Sequence, residues 1–363
     1  MAAHTKGEPM RLALLLTILI ATAASADRYR IAGELTGLTA MRAIVIAAQS
    51  GMLAYDGKLG ILDTSVLHDL KIAADLPVHA TALLRYGDVG YTITDTTPPT
   101  LVAVSLDGAA STVLSTTPLL GSVRATAMSD AMSIVGSRLY LCAQDVFIFD
   151  ISNPGYPQLQ LQQQVIDDWW GTKPPERHDC RVLHATGNRV WVGAEPQIIG
   201  WYDVTTGPEL EWTAICHHPT TEIMMVDGKL CYAGPDQVVM CHTPTYTELG
   251  APPQESIWQS DEYPYPYDLA TSGGMLYGYW PTATWPDPGE GVLRVLAMDW
   301  SMGDPIELAN IEVEPHHYLI AAHDDIWVTG DEDGTLTIRV PEPPQWLALA
   351  CLLPLLAGMR GRR

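Results

Sequence analysis

Short apolar runs, each closed by Gly, Asp or Pro, fill this chain from about residue 29 to residue 340. The clearest unit is Gly136–Gln158. Arg138–Cys142 reads as one strand, Ala143-Gln144 as a tight connection and Asp145–Phe149 as the return strand. Asp150-Ile151-Ser152-Asn153-Pro154-Gly155 then breaks the pattern. Apolar and aromatic runs between turn residues predict a β-hairpin. Long stretches of helical periodicity are hard to find, and the plentiful Gly and Pro favour many turns.

The end of this unit recurs. Leu59–Ser65, Val146–Ser152, Ile199–Thr205 and Val295–Ser301 each run as an apolar strand into an Asp, with degenerate copies at Leu101–Asp107 and Val238–Pro244. Strands of the Gly-x-aromatic kind precede them, as in Gly51–Tyr55, Asn188–Gly193 and Gly274–Gly278. Each unit therefore reads as strand, turn, strand, turn, strand, Asp turn, strand. The spacing, in the mid-forties on average, is the period of one four-stranded propeller blade. Blades are predicted near 37–77, 78–121, 122–167, 168–216, 217–259 and 260–315. A seventh, from His316 to Val340, has three strands, and Tyr29–Leu35 at the other end of the chain supplies the fourth. The expected fold is thus an all-β propeller of seven four-stranded blades, closed by an N-terminal strand completing the last. Closure of this kind hides sheet edges that would otherwise be exposed.

GSRLYLCAQDVFIFDISNPGYPQ (136–158) resembles the LVIVD repeat, an apolar strand followed by LxIxDvSnPxxP. The match is close in the third unit, fair in the first and fourth, and poor elsewhere, which leaves the blade count open between six and eight. The resemblance implies a propeller on secreted or surface bacterial proteins and no single activity. Asp63, Asp150 and Asp203, which end third strands, read as formers of Asx turns rather than as catalysts.

Both ends carry address patterns. Arg11, the apolar run Leu12–Ile20 and Ala24-Ser25-Ala26 form a secretory signal peptide, with the mature chain expected to begin at Asp27. Pro341-Glu342-Pro343, the apolar segment Trp346–Met359 and the cluster Arg360, Arg362 and Arg363 resemble the PEP-CTERM sorting signal of Gram-negative bacteria. That resemblance implies an exosortase as partner, cleavage near the triplet, membrane contact before processing, and residence in the envelope, on the surface or outside the cell. The basic tail would stay cytoplasmic. The organisation is then a signal peptide at 1–26, a propeller at 27–340 and a sorting signal at 341–363.

Composition narrows the partners. Asp and Glu number 42 against 20 Lys and Arg, for a formal charge of −22. Such a surface repels nucleic acid. Loss of the two ends removes Lys6, Arg11 and the three terminal arginines against one acid, Glu8, and leaves the mature chain more acidic still.

Candidate chemistry gathers in two places. His79, His178, His217, His218, His316 and His317 fall where the innermost strand of a blade should begin, with Tyr263, Tyr265 and Asp268 at the matching place in the sixth. Those starts converge on one channel mouth, where imidazoles suit a transition metal and a metal- or cofactor-dependent enzyme. Local spacing gives no metal motif. The Trp- and Pro-rich insertions at 167–177 and 279–288 place Trp169, Trp170, Trp280 and Trp285 in loops. Exposed aromatics on a rigid scaffold suit a non-catalytic module that binds a surface polysaccharide or an envelope protein. Cys231 with Cys241, and Cys180 with Cys216, are two candidate disulfides. Asp331-Glu332-Asp333-Gly334 reads as an acidic turn without the spaced ligands of a calcium loop.

Overall fold

The computed structural model describes residues 29–119, 131–167, 176–186, 189–195, 198–203, 222–226, 229–234, 237–242, 258–259, 268–281, 291–297, 305–313 and 317–342. Twenty-eight strands lie among them, in seven four-stranded sheets. β1 is Tyr29–Leu35. The first sheet holds β2 (Ala43–Ile46), β3 (Ser50–Tyr55), β4 (Lys58–Asp63) and β5 (Lys71–Leu76). The second holds β6 (Ala80–Tyr86), β7 (Val89–Thr94), β8 (Thr100–Ser105) and β9 (Val113–Pro118); the third holds β10 (Met132–Val135), β11 (Arg138–Ala143), β12 (Asp145–Asp150) and β13 (Gln158–Gln163). The fourth holds β14 (Val165–Asp167), β15 (Glu176–Thr186), β16 (Arg189–Glu195) and β17 (Ile198–Asp203). The fifth holds β18 (Glu222–Val226), β19 (Lys229–Gly234), β20 (Gln237–His242) and β21 (Trp258–Gln259), and the sixth β22 (Leu269–Ser272), β23 (Met275–Pro281), β24 (Gly291–Ala297) and β25 (Ile306–Val313). The seventh is ordered β1, β28 (Leu336–Pro341), β27 (Ile326–Asp331), β26 (His317–His323).

The hairpin expected at 138–149 is β11 and β12, with Leu139 opposite Phe149 and Leu141 opposite Phe147. Both strands are buried nearly end to end. A strand packed on both faces needs apolar residues at every position rather than at alternate ones. That is why the middle strands read as runs such as Val146-Phe147-Ile148-Phe149. The last strands of the sheets, β5, β9 and β13, mix exposed and half-buried positions and carry the polar residues.

The Asp turns form as the side chains demand. Asp63 Oδ1 accepts hydrogen bonds from the Ser65 N–H at 3.1 Å and hydroxyl at 2.5 Å, and Asp150 Oδ1 accepts from the Ser152 N–H at 2.8 Å. The Ser65 hydroxyl, then its N–H, holds the Asp63 carboxyl below its ordinary range. The β3–β4 turn places Asp56 and Gly57 both at positive φ, the type I′ geometry that favours Asp-Gly.

Among the described residues the fourth sheet begins one strand earlier than expected. Its fourth member is β14, which precedes β15, whereas a strand following Asp203 had been expected; residues 204–221 lie outside the described set. Glu176–His178 of β15 pair with β14, and Asp179–Thr186 pair with β16.

The chain divides into two units, 1–30 with 340–363 and 31–339. The described part of the first is the ends of β1 and β28 and Glu342. Within the second, with β15 taking in the fourth sheet the place that the first strand takes in the others, β2 packs on β6, β6 on β10, β10 on β15, β15 on β18, β18 on β22, β22 on β26, and β26 on β2. Apolar clusters fill the spaces between sheets. One spans the second, third and fourth sheets, another the first and second, and a third the fifth and sixth. In β28 the buried Arg339 donates to Thr329 Oγ1 at 2.6 Å and lies 5.7 Å from the Trp327 ring, which fastens β28 to β27.

Candidate functional site

The expected histidine cluster is represented by His79 alone among fully described residues. Its ring stands 62% exposed just before β6, with Nδ1 3.8 Å from Asp95, and the other oxygen of Asp95 is held by Arg42 at 2.6 Å. His178 stands opposite Val165 in the β14–β15 pair and His317 opposite Asp331, with their side chains outside the described set. His217, His218, His316, Tyr263 and Tyr265 also lie outside it. Among the described residues, no three His, Cys, Asp or Glu are grouped to hold a metal ion. Asp268, expected at the channel mouth, is 6% exposed. Its carboxylate accepts from the Leu269 N–H at 3.0 Å and the Ile320 N–H at 2.6 Å, which ties β22 to β26.

Trp280 corrects the reading of the second insertion. It lies inside β23 opposite Val292, is 4% exposed, and packs with Leu269, Leu276 and Leu296. The Arg294 guanidinium sits 5.5 Å from its ring. Pairing with β24 continues as far as Pro281, so the insertion begins later than expected and Trp280 has no face open to a ligand. Trp169, Trp170 and Trp285 lie outside the described residues. Pro341 ends β28 and Glu342 is exposed; Pro343, Arg360, Arg362 and Arg363 lie outside the described set. In the acidic turn, Asp331 Oδ1 accepts from the Thr335 N–H at 2.8 Å and Gly334 has a φ of +80°, a structural turn.

The root of β15 is stapled to the third sheet. Cys142 and Cys180 form a disulfide with Cα atoms 5.4 Å apart, in place of the expected Cys180–Cys216 pair. Beside it, the Gln144 N–H donates to the Cys180 carbonyl at 3.2 Å and the Cys180 N–H to the Gln144 carbonyl at 2.8 Å. Gln144, with a φ of +63°, is held in the left-handed region by these bonds. The staple therefore sits where β15 passes from its pairing with β16 to its pairing with β14. The connection between those two strands is 168–175, which contains Trp169 and Trp170. Cys231, opposite Cys241 in the β19–β20 register, is also disulfide-bonded.

A cavity of about 210 Å³ lies where the seven first strands meet. Aliphatic residues dominate its wall, among them Ile44, Leu83, Met224 and Leu319, with His184 and Asp268 as its ionisable members. Leu183 and Ala185 belong to the apolar cluster shared with the third sheet. His184 stands between them in β15 and lines the cavity. Burial pushes its imidazole down to about 4, so the ring is neutral at physiological pH. His184 was not singled out from sequence because Val182-Leu183-His184-Ala185 reads as ordinary strand. The available signal was a lone imidazole within an innermost strand, away from the strand starts.

No family model and no curated protein matches the chain. Solved structures do. The computationally designed Ika8 protein aligns at a TM-score of 0.54 and 14% identity, over 86% of this chain and 99% of its own. BamB from Moraxella catarrhalis aligns at 0.54 and 13%, over 87% and 92%. A chain of the mitotic checkpoint complex aligns at 0.59 and 12%, over 88% and 96%. The fold is a β-propeller. At these identities the likeness extends to the fold of this propeller and no further.

Proposed function

We propose that this propeller is an exported, non-catalytic binding module of the envelope or extracellular matrix of a Gram-negative bacterium. The observation that carries the reading is the β14–β15 pair. It leaves the β16 ladder, is anchored at its root by the Cys142–Cys180 disulfide, and bears the Trp169-Trp170 connection. A strand pair fastened at its root, with two tryptophans in the sequence that connects its strands, suits binding at low entropy cost. A disulfide suits an oxidising compartment, in keeping with the signal-peptide pattern at 1–26 and the PEP-CTERM-like tail at 341–363. Propellers with this fold occur in a multi-protein assembly, as the mitotic checkpoint complex shows for its own chain. An envelope protein or a surface polysaccharide is the partner this reading assigns, with an exosortase acting on the tail.

In the same reading the seven sheets are blades of LVIVD type, closed through β1. The return of the first-strand contacts from β26 to β2, the order β1-β28 and the Asx turns at Asp63 and Asp150 support it. A seven-residue strand makes a handful of ladder bonds, each contributing ~0.5–1.5 kcal/mol net. Deleting Tyr29–Leu35 is therefore expected to cost about 3 kcal/mol in denaturant unfolding, while a deletion ending at Arg28 leaves the midpoint unchanged. Equal midpoints for the two deletions would remove closure through β1.

The binding reading is tested with the chain as purified from its host. Its mass should correspond to an N-terminus at Asp27 and a C-terminus near Pro343. Biolayer interferometry against the host's purified surface polysaccharide and its solubilised envelope proteins should show saturable binding. Trp169→Ala/Trp170→Ala should weaken that binding about tenfold or more, the loss of a hot-spot pair, with an unchanged melting temperature. A full-length, unprocessed mass, or binding indifferent to the two substitutions, would overturn the proposal.

A further inference from the structure

We infer that the cavity where the seven first strands meet is a binding site for a small uncharged molecule of about one ring in size, hydrogen-bonded by His184. This goes beyond the surface-binding role and does not depend on it. The cavity, at about 210 Å³ and open on one side, has room for a ring together with a polar substituent. Ile44, Leu83, Met224 and Leu319 provide an aliphatic wall for the ring.

The polar end has a partner waiting. The His184 side chain makes no hydrogen bond among the described residues, and burial alone accounts for its suppressed basicity. The ring is half-buried, so a ligand or water reaches its nitrogens from the cavity. A neutral imidazole offers one donor and one acceptor, which matches a hydroxyl. The first strands β2, β6, β10, β18, β22 and β26 stand at the ends of their sheets. Each has one edge outside its own ladder, and such edges carry main-chain donors and acceptors.

Charge selects a neutral guest. Among the described residues no Lys or Arg lines the cavity, and the carboxylate that does, Asp268, already accepts from two N–H groups. An anion would meet a carboxylate without a compensating cation. A cation would have to compete with backbone donors for Asp268 while losing its own hydration. An uncharged phenol-like molecule faces neither penalty.

The test uses the chain as purified from its host, with phenol as probe at pH 7.5 and benzene and benzoate as controls. Phenol should bind saturably by calorimetry and shift the Cε1 proton resonance of His184, while benzoate should show no saturable binding. His184→Leu should weaken phenol at least tenfold and leave benzene unchanged; His184→Gln, which keeps a donor and an acceptor, should restore part of the loss. If His184→Leu fails to fold, the resonance shift and the His184→Gln affinity decide. Unsaturable phenol, equal phenol affinity in wild type and variant, or benzoate binding as tight as phenol would each overturn the inference.

Discussion

The Cys142→Ala/Cys180→Ala double variant is expected to lose about 4 kcal/mol of stability. The disulfide closes a loop of 38 residues, and the chain-entropy cost of leaving such a loop open in the unfolded state has that size. Both positions are fully buried, and alanine fits them without a new polar group. The staple also joins the third sheet to the fourth, beside the paired Gln144–Cys180 backbone bonds and a contact through Ser133. Ser133 accepts from the Ala185 N–H at 2.9 Å. Guanidinium unfolding of the double variant against wild type measures the difference. Reductant is no substitute, because it would open the Cys231 disulfide as well. A loss below about 1 kcal/mol, well under the usual range for a native disulfide, would show that the two sheets hold together without it.

Acid is expected to act on this protein through His184. In the unfolded chain its ordinary value is 6.5; in the fold burial pushes it down to about 4. Between these values the unfolded chain binds a proton that the folded one refuses, so stability rises with pH across that window. The full contribution is present above pH 6.5 and is lost as the pH falls to about 4. The amount is on the order of 3 kcal/mol. His184→Leu removes this dependence and leaves that of the other groups. The difference between wild-type and variant unfolding free energies should therefore change by this amount between pH 7 and pH 4, with wild type the loser at low pH. Parallel curves would mean that the imidazole is hydrated in the folded protein.

The hairpin β11–β12, the Asp turns and the pairing of Tyr29–Leu35 with the final strands were all legible along the chain. Each rests on neighbours in sequence or on a strand missing from a count. A strand buried on both faces announces itself as an unbroken apolar run, and an Asx turn needs just the Asp and the residue two on. What escaped depends on which sheet meets which. Cys180 finds Cys142 because two sheets abut at the level of the β11–β12 turn, a distance that strand patterns do not contain. Trp280 was read as a loop residue because prolines surround it, yet cross-strand pairing with β24 carries β23 through Pro281. His184 is hidden for a related reason: a strand tolerates one histidine at any position, and seven strands must be assembled before it faces a cavity.

The order β1-β28 sets a demand on how the molecule is made. β1 pairs with β28, so that ladder stays open until Leu336–Pro341 has been synthesised, about 300 residues after β1. Contacts this distant in sequence are late and slow to form, and an unpaired strand edge is a template for other chains in the meantime. Arg30 and Glu34 are exposed on β1, and charges on an unpaired strand disfavour such pairing. A chain cut short anywhere before Leu336 would keep this edge permanently, which makes truncated products of this protein candidates for aggregation rather than for partial function.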